Sequence, residues 1–276
     1  MSRAAVLGSP IAHSLSPYLH RAAYRALGLD DWSYEAIECD EAGLPGLLGG
    51  LGPDWAGLSL TMPLKRAVLP LLDTVSELAV EVGGANTVVL REGARHGENT
   101  DVYGIVRALT EAGAARPRSA AILGGGATAA STLAALRELG LGEATLVVRD
   151  PGRAGETAEV AERLGTALTV QTFEKIDTVL DVDLVVSTLP SGAADGFADL
   201  VAGRVPVVFD VVYAPWPTRL AGAVAQAGGT VVGGFPMLLH QAVRQVELMT
   251  GRTDVPVEAM RAAGEAEILR RAGRTS

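Results

Sequence analysis

The chain has 276 residues, 48% hydrophobic and 20% charged, the balance of a globular protein with one large domain or two modest ones. A formal charge of −9, with no lysine or arginine run to offset it, argues against a nucleic-acid partner and leaves room for a small anion met by local donors. Cys39 is the one cysteine, which excludes an intrachain disulfide, and no stretch approaches the roughly 20 apolar residues of a membrane span, so a cytoplasmic protein is expected.

From the N-terminus, AAVLG, WSYEAIEC, WAGLSLTM and NTVVLREG read as strands with helices between them, a first α/β unit. Cys39 follows the second of these between Glu38 and Asp40, which disfavour its thiolate, and is read as inert. After the first strand comes the run Gly8 to Pro17, GSPIAHSLSP. Ser16 before Pro17 predicts a helix N-cap followed by proline, leaving the hydroxyls of Ser14 and Ser16 at a helix start. Plain capping and a carboxylate site both fit that arrangement. Thr61-Met62-Pro63-Leu64-Lys65 repeats the device after another strand, with Pro63 predicted to start a helix. An ammonium in that first turn opposes the positive end of the helix dipole, which hints at acid–base work, although a lysine snorkelling to solvent fits as well.

Gly83 to Thr87 and Gly97 to Asp101 frame a predicted β-hairpin with REGARHG as its turn. Asn86 can both donate to and accept from a hydroxyl. Asp101 falls at the predicted N-cap of a bridging helix, DVYGIVRALTEAGA, where it serves as a cap or as a partner orienting Lys65.

From Ala120 to about Gly234, short apolar runs (SAAILGGG, ATLVVRD, VDLVVSTLP, VPVVFDVVY) alternate with alanine-rich helical segments, the pattern of a parallel, Rossmann-type sheet. Gly124-Gly125-Gly126-Ala127-Thr128-Ala129 matches G-x-G-x-x-A between strand and helix, suited to a dinucleotide pyrophosphate or to a structural turn. The next strand ends at Arg149, where an NAD-binding fold usually has a carboxylate; an arginine suits a 2′-phosphate, and Arg153 offers a second charge. Asp150 beside it either repels that phosphate or pairs with ribose. NADP is therefore expected, with NAD open.

The last helical stretches, PMLLHQAVRQVELMTG and VPVEAMRAAGEAEILRRAG, have no strand left to cover and are expected to return to the first unit. The predicted architecture is thus a discontinuous α/β domain, 1–103 with 237–276, and a dinucleotide-binding domain, 104–236, with a cleft between them. Gln241 lies one turn from Met237 on an apolar stripe and needs a partner, from a ligand hydroxyl or from backbone. The four histidines have no metal-ligand spacing and no G-x-S-x-G is present, so neither metal nor serine hydrolysis is expected.

Seven pieces in order, GSPIAHSLSPYLH, SLTMPLKR, GGANTV, ENTDVYG, ILGGGATA, VFDVVYAPWPT and MLLHQA, resemble the shikimate dehydrogenase family from Gly8 to about Gly251. The resemblance implies an NADP-dependent enzyme that reduces 3-dehydroshikimate reversibly, as a monomer or homodimer. It implies that Ser14, Ser16, Thr61, Asn86, Asp101, Tyr213 and Gln241 contact shikimate, and that Lys65 is the catalytic acid/base with Asp101 as its partner. It also implies that Gly124 to Thr128, Val148 to Arg153, Val211 and Gly234 line the cofactor, with Glu77 near the nicotinamide. Two departures touch cofactor choice: Ala127 replaces the last glycine of the family's G-x-G-G, and Val148-Arg149-Asp150 stands where Asn-Arg-Thr is common. The rival readings are an NAD-dependent quinate/shikimate dehydrogenase and a non-catalytic regulator that binds the same ligands.

Overall fold

The computed structural model describes residues 1–273, except for the side chain of Arg153, and the chain divides into two units, Met1–Thr100 with Leu238–Ser276, and Asp101–Met237. The sequence reading put these breaks at 103/104 and 236/237. The first falls earlier because Asp101 already belongs to a helix that packs within the second unit.

The first unit begins β1 (Ser2–Gly8), α1 (Ser16–Ala26), β2 (Trp32–Glu38), α2 (Leu44–Gly49), β3 (Trp55–Leu60), α3 (Leu64–Ala67), β4 (Thr74–Val75), α4 (Glu77–Val82), β5 (Thr87–Arg91), β6 (Ala94–Glu98). Its sheet runs β2-β1-β3-β5-β6-β4, with β1 parallel to β2 and β3, and β5 antiparallel to β3 and β6. Strand β1 lies inside the sheet and is apolar on both faces, so Ala4 to Leu7 are all buried, and Ala5 and Leu7 pack with Leu58, Leu60, Leu64 and Val68. In the hairpin Arg91 pairs with Ala94, leaving a turn of Glu92-Gly93 alone, both at positive φ (53° and 81°). That turn is tighter than the expected REGARHG, because a two-residue loop of this hand follows the strand twist and lets pairing run to its ends.

The second unit holds α5 (Asp101–Glu111), β7 (Ala120–Leu123), α6 (Ala127–Glu138), β8 (Glu143–Val148), α7 (Gly155–Leu164), β9 (Ala167–Thr172), β10 (Leu184–Ser187), α8 (Ala198–Val201), β11 (Val207–Asp210), α9 (Arg219–Gln226), β12 (Thr230–Val232). Its sheet runs β12-β11-β10-β7-β8-β9 with every pair parallel. This is the doubly wound order of a Rossmann fold, in which the strand sequence reverses between β7 and β10 and leaves a binding crevice at their carboxyl ends.

Helix α10 (Gly234–Thr250) starts in the second unit and ends in the first, and α11 (Val257–Ala272) packs on α1. Among the described residues no helix is long and apolar enough to cross a membrane, and no group of three His, Cys, Asp or Glu could hold a metal. Cys39 is buried, and burial, then Asp40, push its thiol above the ordinary range, which fits an inert residue.

Candidate active site

Three loops of the first unit meet at the carboxyl ends of β1 and β3 and the start of β5. Thr61 N–H donates to Leu7 O at 2.9 Å and Ser9 N–H to Met62 O at 3.0 Å, so the loop after β3 lies against the loop after β1. The approach requires glycine at position 8, since a Cβ there would overlap Thr61 Cγ2 and sit 3.0 Å from Met62 O. Ala85 N–H donates to Lys65 O at 2.8 Å and Leu60 N–H to Asn86 O at 2.7 Å, which draws in the segment before β5. Of the sequence-selected residues, this brings together Thr61, Lys65 and Asn86, α10 adds Gln241, and Ser14 and Ser16 follow along the chain from the loop after β1.

Asn86 is 1% exposed, and its orientation follows from its partners. Its side-chain oxygen lies 2.8 Å from the backbone N–H of Thr100 and 2.9 Å from the Thr87 hydroxyl. A backbone N–H can only donate, so that atom is the oxygen, and the amide nitrogen points to Thr100 Oγ1 (2.9 Å) and Gln241 Oε1 (3.3 Å). Gln241 gives its own N–H to Leu238 O at 3.0 Å, the backbone partner of the two inferred for it, while its Oε1 accepts from Asn86. Beneath this set runs a second buried chain: Tyr34 OH donates to Ser59 Oγ (2.6 Å), Ser59 to Gln245 Oε1 (2.8 Å), and Gln245 Nε2 to Thr87 Oγ1 (3.0 Å) and Asn86 O (3.2 Å). Burial pushes the Tyr34 phenol well above its ordinary range, against the opposing effect of its hydrogen bonding with Ser59 and Ser16.

Ser16 is the first residue of α1 and not its N-cap; Leu15 takes that position without a side-chain bond. Ser14 Oγ instead accepts the Ser16 N–H at 3.2 Å, and the Ser14 hydroxyl keeps its own proton to donate. Pro63 precedes α3 and does not start it, and Lys65 is half-buried in that single turn. Asp101 opens α5 in the second unit and is 4% exposed. Glu77 is exposed in the first turn of α4, which Ser76 caps.

In the second unit the glycine loop sits at the switch point. Gly124 N–H donates to Val147 O at 2.9 Å, and Thr188 on the neighbouring strand end donates through N–H and hydroxyl to Leu123 O, each at 2.9 Å. Gly124 has φ 101° and a Cβ there would lie 2.7 Å from Thr188 Oγ1, so no other residue fits. Gly126 is extended, has open space where a Cβ would be, and starts the twelve-residue α6 without a side-chain cap. An uncapped helix start behind a glycine cradle suits a pyrophosphate, and Gly125 O, held by Thr157 at 2.9 Å, fixes the loop. Ala127 and Thr128 form the first turn of α6. Past the buried Val148, Arg149 is exposed, while Asp150 Oδ1 accepts Gly152 N–H at 2.9 Å and caps the short helix Pro151–Arg153. The Arg153 side chain lies outside the described residues. At the ends of β11 and β12, Gly234 N–H donates to Val212 O at 3.1 Å and its missing side chain makes room for the Val211 carbonyl; Tyr213 follows in the same loop, half-buried.

The profile of the shikimate dehydrogenase substrate binding domain matches residues 6–88, and that of the shikimate 5′-dehydrogenase C-terminal domain matches residues 234–263. The NADP(+) shikimate dehydrogenase of Methanothermobacter thermautotrophicus is 34% identical over 264 residues, covering 92% of this chain and 93% of its own. The chain belongs to the shikimate dehydrogenase family. Among solved structures, the Mycobacterium tuberculosis shikimate dehydrogenase is 44% identical with a TM-score of 0.90, covering 96% of this chain and 100% of its own. The Thermus thermophilus enzyme, solved in complex with NADP(H) and shikimate, is 34% identical with a TM-score of 0.85, covering 96% and 99%.

For a member of the shikimate dehydrogenase family, the residues that sequence reasoning passed over are Thr100, Ser59, Tyr34 and Gln245. Gln245 carried the one visible signal, as a second polar residue one turn after Gln241 on the same apolar helix face.

Proposed function

We propose that the protein catalyses the reversible, NADP-dependent reduction of 3-dehydroshikimate to shikimate, an oxidoreductase step of aromatic amino acid biosynthesis. One observation carries this reading beyond family membership: a single unit gathers a hydroxyl pair (Ser14, Ser16), a lysine (Lys65) and a buried amide–hydroxyl set (Asn86, Thr100, Gln241) at the same strand ends. A polyhydroxylated ring acid with a reducible ketone needs those three kinds of group. Ser14 and Ser16 are assigned the carboxylate, and Thr61, Asn86, Asp101, Tyr213 and Gln241 the ring hydroxyls.

When bound, the dihydronicotinamide supplies a hydride to the ring carbon. Lys65 delivers the matching proton from Nζ to the substrate oxygen, so that C=O becomes CH–OH with one hydride and one proton gained; in the reverse direction Nζ takes that proton back. Asp101 is the carboxylate assigned to work with Lys65. Gly124, Gly125, Gly126, Ala127 and Thr128 would hold the pyrophosphate and Arg149 the 2′-phosphate, with Val148, Asp150, Arg153, Val211, Gly234 and Glu77 completing the cofactor contacts. Because Asp150 already caps its own turn, its carboxylate is engaged with backbone beside Arg149, which supports NADP over NAD. The enzyme is assigned to the cytoplasm, as a monomer or homodimer.

The test is shikimate oxidation followed at 340 nm with NADP and with NAD. Lys65→Ala should lower kcat about 100-fold or more while leaving shikimate affinity nearly unchanged, the pattern of a group used in the transition state. Undiminished turnover in that variant would remove Lys65 from the mechanism, and ligand binding without turnover in the wild type would make the protein a regulator.

A further inference from the structure

The loop from Ser9 to Leu15, which joins β1 to α1, contains neither lysine nor arginine, yet it is assigned an anion. Its shape is imposed from outside. At one end Glu38, the last residue of β2, accepts the Ser9 hydroxyl at 2.6 Å and the Ile11 N–H at 2.9 Å. At the other end the contact comes from the far terminus of the chain. Arg271, in the last turn of α11, donates Nη1 to His13 O at 2.6 Å and Nη2 to Ser14 O at 3.3 Å.

Arg271 is itself fixed. Its Nε donates to Glu267 Oε1 at 2.6 Å, and its guanidinium lies 5.6 Å from the centre of the Tyr18 ring. Glu267 is 4% exposed and also takes both forks of Arg270, at 2.7 Å each. The hydrogen bond from Arg270 leads in pulling the Glu267 carboxyl down to about 2, so it remains an anion under working conditions. Two guanidinium groups on one carboxylate leave one net positive charge at this end of the loop, with the Glu38 carboxylate at the other end. The geometry also explains why an arginine is used: three donors in one plane meet two successive carbonyls and a carboxylate, which an ammonium cannot match.

We infer that Arg271 is a positioning residue of the substrate site: its fork on the His13 and Ser14 carbonyls sets the loop so that Ser14 and Ser16 present hydroxyls to the substrate carboxylate. Its charge adds the local positive potential that an anionic substrate needs on a chain of net charge −9. The C-terminal helix is therefore part of the substrate site, although it lies 258 positions from His13. This inference rests on the reading of Ser14 and Ser16 as the carboxylate donors.

The experiment measures binding of shikimate and of its methyl ester to the full chain by calorimetry without cofactor, alongside kcat, KM and NADPH affinity, for wild type, Arg271→Ala and Arg271→Lys. Arg271→Ala should weaken shikimate roughly 10-fold, through KM with kcat within about twofold, and leave NADPH affinity unchanged. Arg271→Lys should restore only part of the loss. The ester lacks the charge, so it should bind wild type more weakly and lose little further in the variant. A purely structural role would weaken both ligands alike, and that result, or no change in shikimate affinity, overturns the inference. Should Arg271→Ala fail to fold, Arg271→Gln, shorter, polar and uncharged, carries the same comparison of acid against ester. A wild type that does not bind shikimate at all overturns the functional reading, and the inference with it.

Discussion

Asn86 shows how one amide acquires a direction. Its oxygen is committed to the Thr100 N–H (2.8 Å) and the Thr87 hydroxyl (2.9 Å), so the nitrogen is the atom turned toward Thr100 Oγ1 and Gln241 Oε1. A residue described from sequence as able to donate or accept is in the fold a donor on that side. Asn86→Asp preserves shape and reverses the chemistry, setting a carboxylate oxygen against the Gln241 carbonyl oxygen in a buried site. Shikimate affinity should fall by at least about tenfold while the fold survives, because a buried polar group left facing another acceptor loses its full desolvation cost. Calorimetry on the variant, with circular dichroism to verify folding, decides this, and unchanged affinity would mean that Asn86 does not read the ligand. The individual letters Asn86, Gln241 and Lys65 were legible because each is a polar residue at a place where local structure alone does not need it. Thr100 was not, since its importance lies in a backbone bond to a residue fourteen positions earlier.

At the level of elements, the strands of the Rossmann unit that were legible are the interior ones, whose unbroken apolar runs reflect burial on both faces. The two edge strands were not: ALTVQT in β9 is half polar, and TVV in β12 is too short to show a period. Pro63 reads in the sequence as the start of a helix, whereas α3 begins at Leu64 and is a single turn, because a proline signal marks a start but says nothing of length. The glycines were visible as letters, and at 124–126 as a phosphate-type turn, whereas the contacts that exclude a side chain were not. Gly234 is the sharpest case, since any Cβ would fall on the Val211 carbonyl where the ends of β11 and β12 come together. Gly234→Ala should therefore cost about 1–3 kcal/mol or more by overpacking. It should also reduce NADPH affinity more than shikimate affinity, because the clash falls first on Val211, which with Gly234 is assigned to the cofactor. Thermal melting and NADPH fluorescence titration measure the two effects, and a variant with wild-type melting and titration would show that the loop yields freely.

For the molecule as a whole, acid sensitivity traces to a histidine outside the assigned chemistry. His20 is fully buried on α1, stacks on Tyr34 with ring centres 3.9 Å apart, and bonds Ser16 O through Nδ1 at 2.9 Å. A carbonyl only accepts, so Nδ1 carries a proton, and burial, which leaves Nε2 without a partner among the described residues, keeps the ring neutral at pH 7. Burial pulls His20 down to about 4 from an unfolded value of 6.5. Between those two pH values the unfolded chain binds one proton more than the folded one, so stability rises with pH across the window and is lost as pH falls from 6.5 toward 4. The limiting slope is about 1.4 kcal/mol per pH unit, and the integrated effect is on the order of 3 kcal/mol. Glu267, pulled down to about 2 from 4.5, contributes in the same direction but in a lower window, so the two separate. His20→Phe keeps an aromatic ring against Tyr34 and removes the titration. Denaturant unfolding at pH 7, 6 and 5 should show the wild type losing stability by about one proton's slope where the variant stays nearly flat. Parallel losses in the two proteins would place the acid sensitivity elsewhere. The variant should also be less stable than wild type at pH 7, since it forfeits the bond to Ser16 O, and the two stability curves should then converge as the pH is lowered.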